Sequence, residues 1–133
     1  MEKRKMKTKI KYPIIAGIGL LVLQTIFSAL NLYQTLPFFD IPMHFTGGLI
    51  VAWFLTALFA KDLRTMRWRV SALVIIGGTA IVGIHWEFFE WFLDNFVFIK
   101  TQFMGGLNDT LFDLFMDLLG ACVIAVMVRR KVR

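Results

Sequence analysis

The stretch Asn108-Asp109-Thr110-Leu111-Phe112-Asp113-Leu114-Phe115-Met116-Asp117-Leu118-Leu119-Gly120-Ala121 sets three carboxylates four residues apart inside an apolar run that continues to Val128. At 100° per residue, Asp109, Asp113 and Asp117 fall in one slowly drifting stripe of a helix, continued by Gly120 and Ala121. A strand is excluded by the length of the run and by its Leu, Ala, Met and Phe content. The run from Asn108 to Val128 matches the ~20 residues a helix needs to cross a bilayer. The segment therefore reads as a membrane helix with one acidic face.

Three further runs of similar length precede it. The expected helices are residues 12–36, 41–60, 70–93 and 108–128, in one transmembrane domain over residues 1–133, with an extracytoplasmic aromatic loop at 94–107. Helices satisfy their own backbone hydrogen bonds, as lipid demands. The fold expected is an all-α, integral membrane four-helix bundle. Composition agrees: 58% of the 133 residues are hydrophobic and 18% charged, too apolar for a soluble domain of this size. Disorder, collagen-like repeat and a disulfide scaffold are excluded by the same figures, and the lone Cys122 says nothing of redox compartment.

The formal charge of +6 is a topological signal. Lys3, Arg4, Lys5, Lys7, Lys9 and Lys11 precede the first run. Lys61, Arg64, Arg67 and Arg69 separate the second from the third, and Arg129, Arg130, Lys131 and Arg133 follow the fourth. Only Lys100 falls in a loop of the other set. The positive-inside rule then puts both termini and the middle loop in the cytoplasm, in a multi-pass protein of the cell's inner or plasma membrane. Membrane lipids are the expected partners, and the charge needs no nucleic acid. The first run is too long for the apolar region of a cleaved signal peptide and reads as an uncleaved anchor.

Seven of the nine acids lie toward the opposite face: Asp40, Glu87, Glu90, Asp94, Asp109, Asp113 and Asp117. An ionised side chain at mid-bilayer costs ~2.5–3.5 kcal/mol, so acids at depth need a local reason. Asp40, before Ile41-Pro42, fits a helix cap, as does Asn108 or Asp109; Asp94 fits the headgroup zone. Capping does not reach Asp113 and Asp117, ~6–14 Å inside the fourth run, or Glu87, Glu90 and His44, ~6–10 Å inside theirs.

Phase agrees with depth. The stripes are Ala80, Gly83, Glu87, Glu90 and Asp94 on the third run, and Asp40, His44, Gly47, Gly48 and Val51 on the second. On the first they are Gly17, Leu21, Gln24, Ser28, Asn31 and Thr35. Small residues permit close helix approach and polar ones bond across, so four such faces are expected to converge. His85 points away from the Glu87/Glu90 face and reads as a packing histidine. The aromatic residues default to lipid-facing positions, with Trp68 and Trp91 at the interfaces.

Three blocks stand out together: Asp40-x-x-x-His44-Phe45-x-x-Gly48, Trp86-Glu87-x-x-Glu90-Trp91, and Asn108-Asp109-Thr110-x-x-Asp113-x-x-x-Asp117-x-x-Gly120-Ala121. Over residues 40–121 this pattern resembles the YjdF-type inner-membrane proteins and, more distantly, the VanZ-type proteins associated with glycopeptide tolerance. The resemblance implies a polytopic membrane protein with an acid/His motif and brings no reaction with it.

Three functions fit these residues. The first is a divalent-cation site of His44, Glu87, Glu90, Asp113 and Asp117, rimmed by Asp40 and Asp109, acting on lipid or envelope headgroups. The ion expected is Mg²⁺, Mn²⁺, Ca²⁺ or Zn²⁺, because carboxylates suit hard cations and one imidazole admits zinc. The second is a structural or lipid-interacting protein whose protonated acids form a hydrogen-bonded polar core. The third is a small ion- or proton-coupled transporter, which would need a homo-oligomer to build a path. No organic cofactor is expected, and no nucleophile set or phosphate-cradling glycine loop marks an enzyme.

Overall fold

The computed structural model describes residues 2–97 and 104–132 and is helical almost throughout. Its elements are α1 (Glu2–Ala29), α2 (Leu32–Thr35), a 3₁₀ turn (Pro37–Phe39), α3 (Asp40–Leu58), α4 (Ala60–Thr65), α5 (Trp68–Phe92), a π-helical turn (Leu93–Val97) and α6 (Leu107–Val132). Four segments are long and apolar enough to cross a membrane: Ile10–Ala29, Asp40–Leu58, Trp68–Val97 and Leu107–Arg129. This is an all-α membrane bundle.

The first helix differs from the single span expected over 12–36. It begins at Glu2 and stops at Ala29, because Asn31 takes a left-handed backbone (φ 53°, ψ 32°). Asparagine tolerates that conformation better than most residues. Pro37 cannot continue an α-helix, and the chain re-enters the membrane at Asp40. On the other side, Ser71 near the start of α5 donates to the carbonyl of Leu63 in α4 (3.1 Å), tying off an end carbonyl of that short helix. Arg129 of α6 lies 4.5 Å over the Trp68 ring and pins the same end of the bundle.

Residue pairings fix the directions. Gly17 meets Ile50 and Gly47 meets Leu20, so α1 and α3 are antiparallel. Gly78 meets Leu55 while His44 meets Glu87, so α3 and α5 are antiparallel. Gly83 meets Asp117 while Trp68 meets Arg129, so α5 and α6 are antiparallel. The three basic segments therefore share one end of the bundle, with Glu2 and Asp62, and the other seven acids lie toward the opposite end.

The core is made of small side chains. Ala52, Leu63, Ile75, Ala121 and Ala125 are buried, with Ala72, Val74, Ile76, Ile124 and Val128 packed around them. A side chain at Gly48 would strike the backbone of Asp117, and one at Gly120 the backbone of Phe45 and Leu49. Helices α3 and α6 thus touch main chain to main chain, as small residues allow in lipid. The large apolar side chains, such as Leu73, Ile81, Phe88 and Leu111, point outward. The convergence expected of four faces is met by three. Helix α1 packs on α3 at the edge of the bundle, and Leu21 and Thr35 of its stripe stay exposed. Its polar groups bond locally: Tyr33 donates to Gln24, and Thr35 to the carbonyl of Asn31.

Candidate metal centre

Each donor's place follows from its helix phase. Buried positions on α5 recur at Ser71, Ile75, Thr79, Gly83, Glu87 and Glu90, a single stripe whose last turn is acidic. Asp113 and Asp117 continue the buried Gly120, Ala121 and Ala125 stripe of α6. His44 lies one turn into α3 on the face of Gly48 and Ala52. The three stripes meet in the core, so their polar ends meet at one level.

His44 is the hub. Its Nε2 lies 3.7 Å from Asp40 Oδ1, 4.0 Å from Glu87 Oε1 and 4.0 Å from Asp113 Oδ1. On the other side of the ring, Nδ1 lies 3.6 Å from Asp117 Oδ1. His44, Glu87, Glu90, Asp113 and Asp117 are all buried, and Asp40 is partly so. One donor atom each from Asp40, His44 and Asp113 lie within 4.8 Å of one another, and so do those from His44, Glu87 and Glu90. Opposite oxygens around a Ca²⁺ ion bound at ~2.3–2.6 Å are ~4.6–5.2 Å apart, so the spacings within each trio fit part of a coordination sphere, and His44 is common to both.

Two atoms are buried without a hydrogen bond among the described residues, Glu87 Oε1 and Thr110 Oγ1. A buried acceptor left unpaired costs about 1–3 kcal/mol, more if charged. Glu87 Oε1 is the atom that faces His44. Glu90, by contrast, accepts from the indole N–H of Trp86 at 3.0 Å.

The residues expected at this site divide as follows. The structure brings together His44, Glu87, Glu90, Asp113 and Asp117. Asp40 joins them: Phe39 holds the cap position of α3, no side chain caps it, and Asp40 turns instead to His44. Asp109 does not reach His44. It accepts from the backbone N–H of Gly105 (3.1 Å), holding the turn into α6. Asp94 accepts from the backbone N–H of Met104 at 2.9 Å. His85 is exposed and its Nδ1 bonds to the carbonyl of Ile81 at 2.7 Å, so it is hydrogen-bonded but not packed inside. Residues 98–103 of the expected aromatic loop lie outside the described residues.

Two neighbours have a role that the sequence reading does not assign. Trp86 stands in the quoted Trp86-Glu87-x-x-Glu90-Trp91 block, and its four-residue spacing from Glu90 is the signal for the hydrogen bond it donates. Tyr33 sits above the cluster. Burial first, then the Asp40 and Glu90 carboxylates, push its hydroxyl well above the usual phenol range, so it stays a donor to Gln24.

With this geometry in hand, comparison with known proteins gives a family. Residues 2–133 match the family of predicted membrane proteins designated DUF2238. The chain belongs to that family. It is also similar to an uncharacterized protein of Thermotoga maritima, at 30% identity over 103 residues, covering 77% of this chain and 53% of the relative. The chain thus spans about half the length of that relative. No solved structure matches. The family and the four apolar helices together make this a multi-pass membrane protein.

Proposed function

We propose that this DUF2238 protein holds a divalent cation within the membrane, ligated by His44 Nε2 and the carboxylates of Glu87, Glu90 and Asp113, with Asp40 at its edge and Asp117, on the Nδ1 side, orienting the imidazole. The observation that carries the reading is the gathering of donor atoms from His44, Glu87 and Glu90 within 4.8 Å of one another, all three residues buried, with Glu87 Oε1 4.0 Å from His44 Nε2. A cation between those atoms would balance several carboxylates in one water-poor layer. Trp86 supports it as an outer partner that orients Glu90. The donor set, oxygen-rich with one imidazole, suits Mg²⁺, Mn²⁺, Ca²⁺ or Zn²⁺. The finer likeness to YjdF-type and VanZ-type proteins rests on the blocks that supply these donors and belongs to the same proposal.

The test is elemental analysis of the protein purified in detergent, equilibrated with each ion in turn and freed of excess. Stoichiometric retention of one ion, lost in Glu87→Gln and in Asp113→Asn, is the expected result. A wild-type protein that retains none of the four ions overturns the cation site and leaves the hydrogen-bonded polar core as the better account.

A further inference from the structure

A cleft of about 340 Å³ opens between α1 and α5, over the face of α3. Its deeper part is apolar, between Gly17, Ile50 and Val51. Its polar lining comes from Gln24, His44, Thr79, Trp86 and Asp117. Three of these are engaged elsewhere. Thr79 donates to the carbonyl of Ile75 in its own helix (2.9 Å), and Trp86 donates to Glu90 (3.0 Å). His44 turns Nδ1 toward Asp117 Oδ1 at 3.6 Å and Nε2 toward the other carboxylates. The remaining two keep capacity toward the cleft. Gln24 accepts from Tyr33 through its amide oxygen, which leaves its N–H groups as donors. Asp117 has a second oxygen, Oδ2, against the bare backbone of Gly83 at the α5 wall, and a carboxylate accepts at both oxygens.

Helix register sets the levels of these two groups. Leu20 packs at Gly47, and Asp117 Oδ1 lies 3.8 Å from where a β-carbon of Gly47 would stand. Gln24, four residues beyond Leu20, is therefore ~6 Å nearer the outer surface than Asp117. Two hydrogen bonds made through one oxygen span ~5.5–6 Å. Below them the cleft runs inward to Gly17, ~10 Å from Gln24 along α1. A donor and an acceptor thus stand at the outer end of a cleft shaped for hydrocarbon.

That pair selects the head group. An anionic head is repelled by the Asp117 carboxylate. A cationic head has no acceptor for the Gln24 N–H groups and brings a charge to a water-poor depth. A hydroxyl serves both, donating to Asp117 Oδ2 and accepting from Gln24. We infer that the cleft seats the chain of a neutral lipid alcohol, with its hydroxyl between Gln24 and Asp117. The site is separate from the proposed cation: Asp40, Glu87 and Asp113 face Nε2 of His44, and neither they nor Glu90 line the cleft.

The experiment is native mass spectrometry of the protein released from phosphatidylcholine nanodiscs that contain equal parts tetradecanol, tetradecyl methyl ether and tetradecylamine. The ether keeps the chain and the acceptor oxygen and lacks the donor. The wild type is expected to retain the alcohol over the ether by at least about tenfold, since a hydrogen bond to a charged acceptor is lost, and over the amine as well. Gln24→Leu should lower alcohol retention about threefold or more. Gly17→Leu, which fills the deep end, should abolish it. Val82→Trp, on the exposed lip of the same cleft, should do the same and serves if the first variant folds poorly, as a thermal midpoint on the same preparation shows. Chelator should leave the ratio of alcohol to ether unchanged. Equal retention of alcohol and ether, preference for the amine, or undiminished retention in the filled variants overturns the inference. So does a ratio that vanishes with the metal, because it would place the head at the cation; a protein that holds the alcohol and no metal refutes the cation site alone.

Discussion

Gly48 has no side chain at the point where the backbone of Asp117 passes: a β-carbon there would overlap the Asp117 carbonyl. That one contact sets how closely α3 and α6 run. It also places the Asp117 carboxylate 3.6 Å from His44 Nδ1, one turn toward the outer end. The spacing of the bundle and the assembly of the site are therefore the same fact seen at two levels.

Gly48→Ala should cost about 1–3 kcal/mol through overpacking, read as a lower thermal midpoint in detergent. Gly77→Ala is the control, since a β-carbon there meets nothing within 4 Å. It should hold stability or gain up to about 1 kcal/mol from helix propensity. Equal losses in the two variants would show that backbone contact between α3 and α6 is not what Gly48 provides.

Added divalent ion should stabilise the wild type, by about 2.7 kcal/mol at a concentration one hundred times its Kd, and chelator should reverse the gain. His44→Ala should abolish the response. His85→Ala should leave it intact, because His85 is exposed and bonds only to its own helix among the described contacts. Thermal scans with and without ion separate the two histidines; a matching loss in both would remove His44 from the centre.

Trp86→Phe keeps the ring and removes the N–H that Glu90 accepts. Leaving a buried carboxylate short of a donor should cost about 1–3 kcal/mol. Metal affinity, measured by competition with a chelating dye, should fall by about 10–100-fold, as for other outer-shell partners of metal ligands. A variant that loses stability with unchanged affinity would make the indole a packing group alone.

Reporter fusions within 61–69 and after the last helix should both read cytoplasmic, since Lys61, Arg64, Arg67 and Arg69 share one end of the bundle with Arg129. An extracytoplasmic signal from either would invert the acidic layer.

Much of this was legible in the sequence because a membrane narrows the alternatives. Length and hydropathy locate the spans, and a 3.6-residue period then singles out Glu87 and Glu90, or Asp113 and Asp117, as one face each. The stripe on the first helix misled for a physical reason. Periodicity tells which face is polar but not which neighbour receives it, and Gln24 is satisfied by Tyr33 nine residues on. Asp40 looked like a cap because capping depends on residue type and position alone, whereas the pull of His44 one turn later is visible only in three dimensions. Trp86 stands in a quoted block, but the lipid-facing default for aromatics ignores the indole's need for an acceptor and so hides its bond to Glu90.

The hub on α3 has a consequence for how the protein is made. His44 enters the bilayer well before its partners: Glu87 follows it by 43 positions and Asp113 by 69. Until α5 and α6 arrive, the imidazole has Asp40 of its own helix beside it but none of the carboxylates of the later helices. A nascent chain halted between α5 and α6 would display His44, Glu87 and Glu90 together but lack the two aspartates that close the ring around the imidazole. The last helix to be made therefore supplies the last two carboxylates that the imidazole faces.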